Sequence, residues 1–275
     1  MESAVERWQA LIDARQQQMD EAYARLGRSS ADFWDRRARS FHRTTKDTAS
    51  TDPLFLRACE AMTPQTDVLD VGAGTGRFSL ALAPLARRVI AVEPSATMLE
   101  YLHHDAQERG ITNVSIVQAT WQDAPGDLAA DIVICSHVLY PIREIVPFLE
   151  KLRAATRQAC FIYMRATHID AATAHLWRHF HGTERCLPPG YIHAVDVLYE
   201  MGICANVEVV RFPSTQRYSS LDLAVGDLSE QLILSDDEHT RAELRKLLAD
   251  WLLERDGELV PPVGEITCAI LHFTS

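Results

Sequence analysis

The stretch VLDVGAGTGR, residues 68–77, decides the reading. An apolar run ends in Asp70, and glycines follow at Gly72, Gly74 and Gly76. Glycine loses more conformational freedom on folding than other residues. Three in quick succession therefore mark a positive-φ turn or a ligand pressed against bare backbone. Strand, glycine turn and helix start together form a nucleotide-handling arrangement. The helix start presents unpaired N–H groups and a positive dipole end. The dinucleotide spacing GxGxxG would need a glycine at 77, where this chain has Arg77; its own spacing is GxGxG.

Outward from this loop, strand-like and helix-like segments alternate. Strands are expected at 67–71, 88–92, 113–118, 131–136 and 159–164. The helices between them run to Ala86, from the Ser95 cap to Arg109 with Gly110 as the stop, and over 143–156 with Ile145, Phe148, Leu149 and Leu152 inward. Alternation at this spacing implies right-handed βαβ units and a parallel sheet covered on both faces. Glu93 ends the second strand, about 20 residues beyond the glycines, where a carboxylate can accept both ribose hydroxyls of an adenosine.

Residues 4–26 read as an amphipathic helix with Val5, Trp8, Ile12, Met19, Tyr23 and Leu26 on one stripe. A second helix is expected over 30–40, anchored by Phe33, Trp34 and Phe41, and a short one over 53–62. Beyond the fifth strand comes a long connection, 166–190, with a short helix and a Pro-Pro-Gly stop. A helix (190–201) and a strand (206–212) follow, then helical sequence over 218–256 broken near Ser235, and a final strand at 265–273.

The chain has 275 residues and a formal net charge of -11, with an acidic excess between 221 and 260. A surface tracking phosphate backbones would carry the opposite sign, so nucleic acid is not expected as a partner. The one basic stretch is WDRRARSFHRTTK, with Arg36, Arg37, Arg39, Arg43 and Lys46. It is either a solvated helix face or a clamp for an anionic group. No stretch has the length of a transmembrane helix, and the first residues have no apolar signal region, so neither membrane nor secretion is expected. The six cysteines are scattered without a CxxC pair, which fits a reduced, cytoplasmic protein.

Four motifs in order, VLDVGAGTGRFSLALA, VIAVEPSATMLE, VSIVQATWQD and DIVICSHVLY, resemble the class I S-adenosylmethionine-dependent methyltransferases. The resemblance covers residues 50–213 and 263–275. It implies an α/β fold: a doubly wound, seven-stranded, mostly parallel Rossmann-like sheet with N-terminal helices and a helical insertion before an antiparallel last strand. The organisation it implies is an N-terminal helical cap over 1–50 and a methyltransferase domain over 51–275. The latter would include a substrate lid at 166–190 and the insertion at 214–262.

The resemblance also assigns roles to S-adenosylmethionine-binding positions. Asp70 would order the glycine loop and the methionine amino end, and Gly72, Ala73, Gly74 and Gly76 would form the loop. Glu93 would hold the ribose, Pro94 and Met98 would flank the adenosine, and Ser136 and His137 would lie under the methionine and sulfonium. Where the family often has an acid that reaches the adenine, Thr120 stands here, followed by Trp121, which could stack on the base. Phe41 matches an aromatic that often covers the cofactor and lacks the hydroxyl of the common tyrosine.

Methyl transfer needs alignment above all. His137 is the candidate base and Tyr140 a second lining residue; the alternative for His137 is packing without proton transfer. His175 and His179 share a helix face near His181, but no further ligand set is evident and no metal is expected. Trp177, Phe180, Pro188, Pro189 and Tyr191 are expected to line the pocket of a small-molecule acceptor. The rival readings are a dinucleotide-dependent oxidoreductase and a non-catalytic nucleoside-binding or interaction protein. A monomer or homodimer is expected, with Trp8 and Met19 able to serve a dimer if exposed.

Overall fold

The strands are β1 (Asp67–Val71), β2 (Arg88–Val92), β3 (Val114–Val117), β4 (Ala130–Ser136), β5 (Thr156–Arg165), β6 (Asn206–Pro213), β7 (Leu253–Arg255), β8 (Glu258–Val260) and β9 (Glu265–Phe273). The central strands β1 and β4 are buried along nearly their whole length. The computed structural model describes residues 2–29, 33–46, 48–214 and 216–274, and of residues 33–37 the backbone alone. Seven strands form one sheet in the order β3-β2-β1-β4-β5-β9-β6. β9 runs antiparallel to both β5 and β6, and the other pairings are parallel. This is the doubly wound sheet expected from the alternating pattern.

The helices are α1 (Ala4–Arg25), α2 (Phe33–Thr45), α3 (Pro53–Glu60), α4 (Arg77–Leu82), α5 (Ala96–Glu108), α6 (Ile145–Ala155), α7 (Ala174–His181), α8 (Tyr191–Glu200), α9 (Leu221–Gln231) and α10 (Glu238–Trp251). Strand period two divides them between two cores. Leu69, Val133, Ile162 and Leu271 pack with α1, α6 and α8 on one face. Val68, Ile134, Phe161, Tyr163 and Ile270 pack with α3 and α4 on the other. Cys135, Cys160 and Cys268 are fully buried within β4, β5 and β9, where a thiol behaves as a small apolar group.

α1 joins the sheet to a second apolar cluster. Its first half places Trp8 and Ile12 in the sheet core, and the Trp8 indole N–H donates to the Ile142 carbonyl at 2.6 Å. Its second half sends Met19, Ala22 and Tyr23 into a cluster with Leu176, Trp177, Leu228, Leu244 and Leu248. Trp8 and Met19 are thus buried within their own chain, and the exposed stripe that would serve a dimer does not exist. Trp177, expected in a pocket wall, is a core residue at 1% exposure, and Phe180 packs against the same cluster.

Other boundaries differ for local reasons. α2 continues to Thr45 instead of ending at 40, with Thr44 and Thr45 hydroxyls donating back to the Phe41 carbonyl. Residues 30–32 and the side chains of Phe33, Trp34, Arg36 and Arg37 lie outside the described residues. The expected helix up to 256 stops at Trp251, and β7 and β8 form a hairpin. Asp256 and Gly257 take φ of 53° and 77° at its tip, the left-handed pair that a two-residue hairpin turn requires.

Because α1 contributes to both clusters, its anchor affects the whole fold. Trp8→Ala is expected to lower the unfolding free energy by about 3–5 kcal/mol in urea denaturation. A loss below about 1 kcal/mol would separate α1 from the cooperative unit.

Candidate active site

The glycine loop joins β1 to α4 at the carboxyl end of the sheet. Gly72 and Gly76 take φ of 72° and 84°, and both positions are crowded: an added Cβ would lie 2.3 Å from Val138 Cγ2 and 2.8 Å from Leu102 Cγ, respectively. Either fact excludes ordinary side chains. At Gly74 an added Cβ would meet only the Phe41 ring, at 3.4 Å. The loop is fastened to the end of β2. Val92 O accepts from the N–H groups of Gly72 and Ala73 at 2.8 and 3.0 Å, and Glu93 Oε2 accepts from Gly74 N–H at 3.0 Å. Glu93 Oε1 accepts from Ser95 N–H at 2.9 Å, and Ser95 in turn caps α5.

Asp70 and Glu93 end adjacent strands, and both are buried. Asp70 accepts the Ser79 hydroxyl at 2.7 Å, which ties β1 to α4. Burial pushes the Asp70 carboxyl up to about 6, opposed by the Ser79 hydrogen bonds and reinforced by the charge of Glu93. Next along the chain, Arg77 turns away from the loop, donating to Asp52 at 2.6 Å and Thr48 at 3.1 Å.

The end of β4 carries the aromatic part of the site. His137 is a non-glycine residue with φ of 60°, held there by its N–H bond to Tyr163 O at 2.8 Å. Its Nδ1 lies 3.1 Å from the Tyr140 hydroxyl. That hydroxyl also accepts from Arg165 N–H at 2.8 Å, so it is held between the β5 backbone and the imidazole. Burial, then the charges of Arg165 and Arg77, hold His137 well below its ordinary value, so the ring is neutral at pH 7. Burial raises the Tyr140 phenol. The Tyr140 ring meets His168 edge-on at 4.8 Å. The 166–190 connection is pinned to α1 there. Asp170 accepts from Arg15 at 2.5 Å and from Arg185 at 2.9 Å. Burial opposes ionisation of Asp170, yet His168 and the two guanidiniums hold its carboxyl well below the usual range.

α2 covers the loop from above, with Phe41 against Gly74. His42 stacks on Tyr101 at 4.4 Å and bonds Asp105 at 2.9 Å, Lys46 reaches Asp105 at 3.3 Å, and Arg43 pairs with Asp227 of α9. Two cations of the basic stretch WDRRARSFHRTTK, Arg43 and Lys46, thus clamp the chain's own carboxylates. The structure brings Asp70, Gly72, Ala73, Gly74, Gly76 and Glu93 together, with Ser136 and His137 beyond them on β4. Pro94 is exposed and Met98 buried at the start of α5. Thr120 is exposed and bonds Asp123 at 2.7 Å.

Trp121 corrects the stacking expectation. It is 4% exposed, donates to Phe148 O at 3.3 Å and lies under Lys151, so it belongs to the core beside α6. The histidine cluster also disperses: His175 faces Trp251, His179 bonds Glu243, and His181 bonds Leu232 O. Among the described residues, His104, Asp105 and Glu108 bring ligand atoms within 4.8 Å of one another, but His42 and Lys46 already occupy Asp105. Sequence reasoning missed Val138, Arg165 and His168. Arg165 carried a readable signal, a charge ending an apolar strand run, the same signal that singled out Glu93.

The buried Asp70 carboxylate has a measurable cost. An acid raised from 3.8 to about 6 in the folded state destabilises the fold as pH climbs through that interval, by about 3 kcal/mol at neutral pH. Asp70→Asn is therefore expected to stabilise the ligand-free protein at pH 7.5 by about 1–3 kcal/mol, with the gain vanishing toward pH 4. Equal stability of the two proteins across that range would contradict the burial account.

Comparison with known proteins agrees with this geometry. Residues 68–159 match the family model described as a methyltransferase domain. A Haemophilus influenzae protein of uncharacterised function is 29% identical over 191 residues, covering 62% of this chain and 67% of that one. The uncharacterised methyltransferase YcgJ of Bacillus subtilis is 30% identical over 92 residues, 33% of this chain and 36% of its own length. Its crystal structure superposes with a TM-score of 0.51 at 18% identity, covering 84% of this chain and 98% of that one. A 23S rRNA (uracil-C5)-methyltransferase of Marinomonas posidonica is 33% identical over 139 residues, 45% of this chain and 32% of its own. The chain therefore spans about two thirds of the first of these curated relatives and about a third of the other two. Residues 68–159, which hold the glycine loop, Glu93 and the β4 end, thus match a methyltransferase domain.

Proposed function

We propose that the chain transfers a methyl group from S-adenosylmethionine to a small organic acceptor in the cytoplasm. One observation carries the choice of a small acceptor: the carboxyl end of the sheet is roofed by the chain itself. α2 lies over Gly74, its Arg43 reaches α9, and the 166–190 connection is bonded to α1 through Asp170. A roof of this kind favours a compact ligand over a polymer, and the net charge of -11 disfavours a polyanion. The match to the rRNA methyltransferase covers less than half of this chain. The cytoplasmic reading rests on six free thiols and on the absence, among the described residues, of a helix long and apolar enough to cross a membrane.

The residues present fit the cofactor. The Gly74 backbone carries no side chain beneath the Phe41 ring, and a buried carboxylate, Glu93, stands at the end of β2. We assign the ribose hydroxyls to Glu93, the loop contacts to Gly72, Ala73, Gly74 and Gly76, and the methionine end to Asp70 and Ser136. Pro94, Met98 and Thr120 are assigned to the adenine side, and Phe41 to the cover. When bound, the cofactor supplies an activated methyl group that needs chiefly in-line alignment with the acceptor. We assign that alignment to His137. Tyr140 engages its Nδ1, which leaves Nε2 to meet the acceptor, and the neutral ring adds no charge against a sulfonium. Tyr140 acts as a positioning residue for His137.

Calorimetric titration with S-adenosylhomocysteine tests the cofactor assignment. Micromolar binding is expected, weakened tenfold or more by Glu93→Ala, with no binding of NAD. Binding of NAD without S-adenosylhomocysteine would favour an oxidoreductase. Binding of neither would favour the non-catalytic reading.

A further inference from the structure

Two guanidiniums share one carboxylate where the 166–190 connection meets α1. Asp170 Oδ2 accepts from Arg15 Nη1 at 2.5 Å and from Arg185 Nη2 at 2.9 Å. The side chains of Asp170, Arg185 and Arg15 are only 6%, 3% and 13% exposed. Neither arginine pairs with a second carboxylate among the described residues. The group therefore holds one uncompensated positive charge largely out of water, in a chain of net charge -11. Such a charge costs free energy that an arriving anion would recover. The two arginines are not equivalent. Arg185 is fully engaged: Nε and Nη2 both donate to Asp170, Nη1 donates to Gln18 at 3.3 Å, and its guanidinium lies over the Trp177 ring at 3.8 Å. Both bonds of Arg15 leave from Nη1, to Asp170 and to Cys186 O at 3.4 Å. Its Nε and Nη2 donate to no described residue, and it is the more exposed of the pair. The outward charge belongs to Arg15.

His168 adds a second donor beside the same carboxylate. Its Nδ1 accepts from the Asp170 backbone N–H at 3.2 Å, so the proton of the neutral ring lies on Nε2. Burial, opposed by the Asp170 charge, brings His168 down to about 4, which keeps the ring neutral at pH 7. Its Nε2–H has no acceptor among the described residues. The ring meets Tyr140 edge-on at 4.8 Å, and the Tyr140 hydroxyl lies 3.1 Å from His137 Nδ1. Tyr140 packs on the α1 side of the sheet, against the cluster that holds Trp8 and Ile12. α1 is tied to the loop after β4, where Arg143 Nε donates to Asp13 at 2.8 Å. An unbroken run of contacts thus leads from Arg15 through Asp170, His168 and Tyr140 to the histidine assigned to the acceptor.

We infer that Arg15 and His168 form the seat for a carboxylate on the methyl acceptor, which makes the substrate a compact organic acid. The inference rests on the methyltransferase reading above. The Nε and Nη2 edge of a guanidinium matches a carboxylate with two parallel N–H···O bonds, which fixes orientation as well as position. His168 Nε2–H supplies a further bond, and Asp170 holds both donors from behind. Tyr140 stands between this seat and His137, so the body of the acid lies along Tyr140 with its nucleophilic atom directed toward His137. Arg15 and His168 are therefore specificity residues, acting on which acceptors bind rather than on the cofactor, and Asp170 is a positioning residue.

The test uses the full chain saturated with S-adenosylhomocysteine, and benzoate and benzamide as probes of equal shape that differ in charge. Calorimetry or ligand-observed NMR should show benzoate binding the wild-type complex about tenfold or more tightly than benzamide. Arg15→Gln should abolish that preference through weaker benzoate binding alone, with benzamide and S-adenosylhomocysteine affinities within about twofold of wild type, which also shows that the variant is folded. Arg15→Lys should retain part of the preference. His168→Phe, which keeps a ring beside Tyr140 and removes the donor, should reduce it about threefold. Equal binding of the two probes to the wild type, or an undiminished benzoate preference in Arg15→Gln, would overturn the inference. An equal loss of both probes in Arg15→Gln would overturn it as well, by making the guanidinium a strut of the 166–190 connection. A loss of S-adenosylhomocysteine affinity of about tenfold in the same variant would assign the guanidinium to the cofactor's own carboxylate and overturn it too. If S-adenosylhomocysteine fails to bind the wild type, the methyltransferase reading falls first and this inference with it.

Discussion

The fastening of the glycine loop to the end of β2 is the constraint on which the site depends. Three successive N–H groups, those of Gly72, Ala73 and Gly74, turn toward Val92 O and Glu93 Oε2. The chain reverses there with positive φ at Gly72, Gly74 and Gly76. The reversal sets the start of α4 against the sheet, and it leaves a gap that Val138, from the β4 end, fills beside Gly72. The glycines therefore do two things. They bare the backbone at Gly74, and they let β4 come close enough to share one site with β1 and β2.

Electrostatics then divides the carboxyl end of the sheet. The β1–β2 side is acidic, with Asp70 and Glu93 both buried, and Asp70 held ionised at neutral pH against its surroundings. The β4–β5 side is basic, with Arg165, Arg15 and Arg185 outnumbering Asp170. A carboxylate kept at a cost in stability is a common mark of a working site.

Much of this was legible in the residues. Strand period two and the glycine stops located the sheet and most helices, because apolar runs of four to six residues between turn signals leave few other folds. The loop and Glu93 were legible because backbone chemistry restricts them to glycine and to an acid at a strand end. Trp121 was misread because an aromatic near a ligand site and an aromatic anchoring a helix look alike in sequence; only the bond to Phe148 O separates them. The destination of the basic stretch was likewise invisible, since Asp105 and Asp227 lie far from it along the chain. The β7–β8 hairpin was missed although the Asp256-Gly257 pair signalled it. Helical periodicity in the preceding residues was carried one element too far.

The account stands or falls on where the cofactor lies. A crystal structure of the full chain grown with S-adenosylhomocysteine measures this directly. The expected density places the ribose hydroxyls on the Glu93 carboxylate and the homocysteine over Gly72 and Gly74, with its sulfur toward His137. Density for the ligand elsewhere on the chain would contradict the account, as would an empty glycine cradle at saturating ligand.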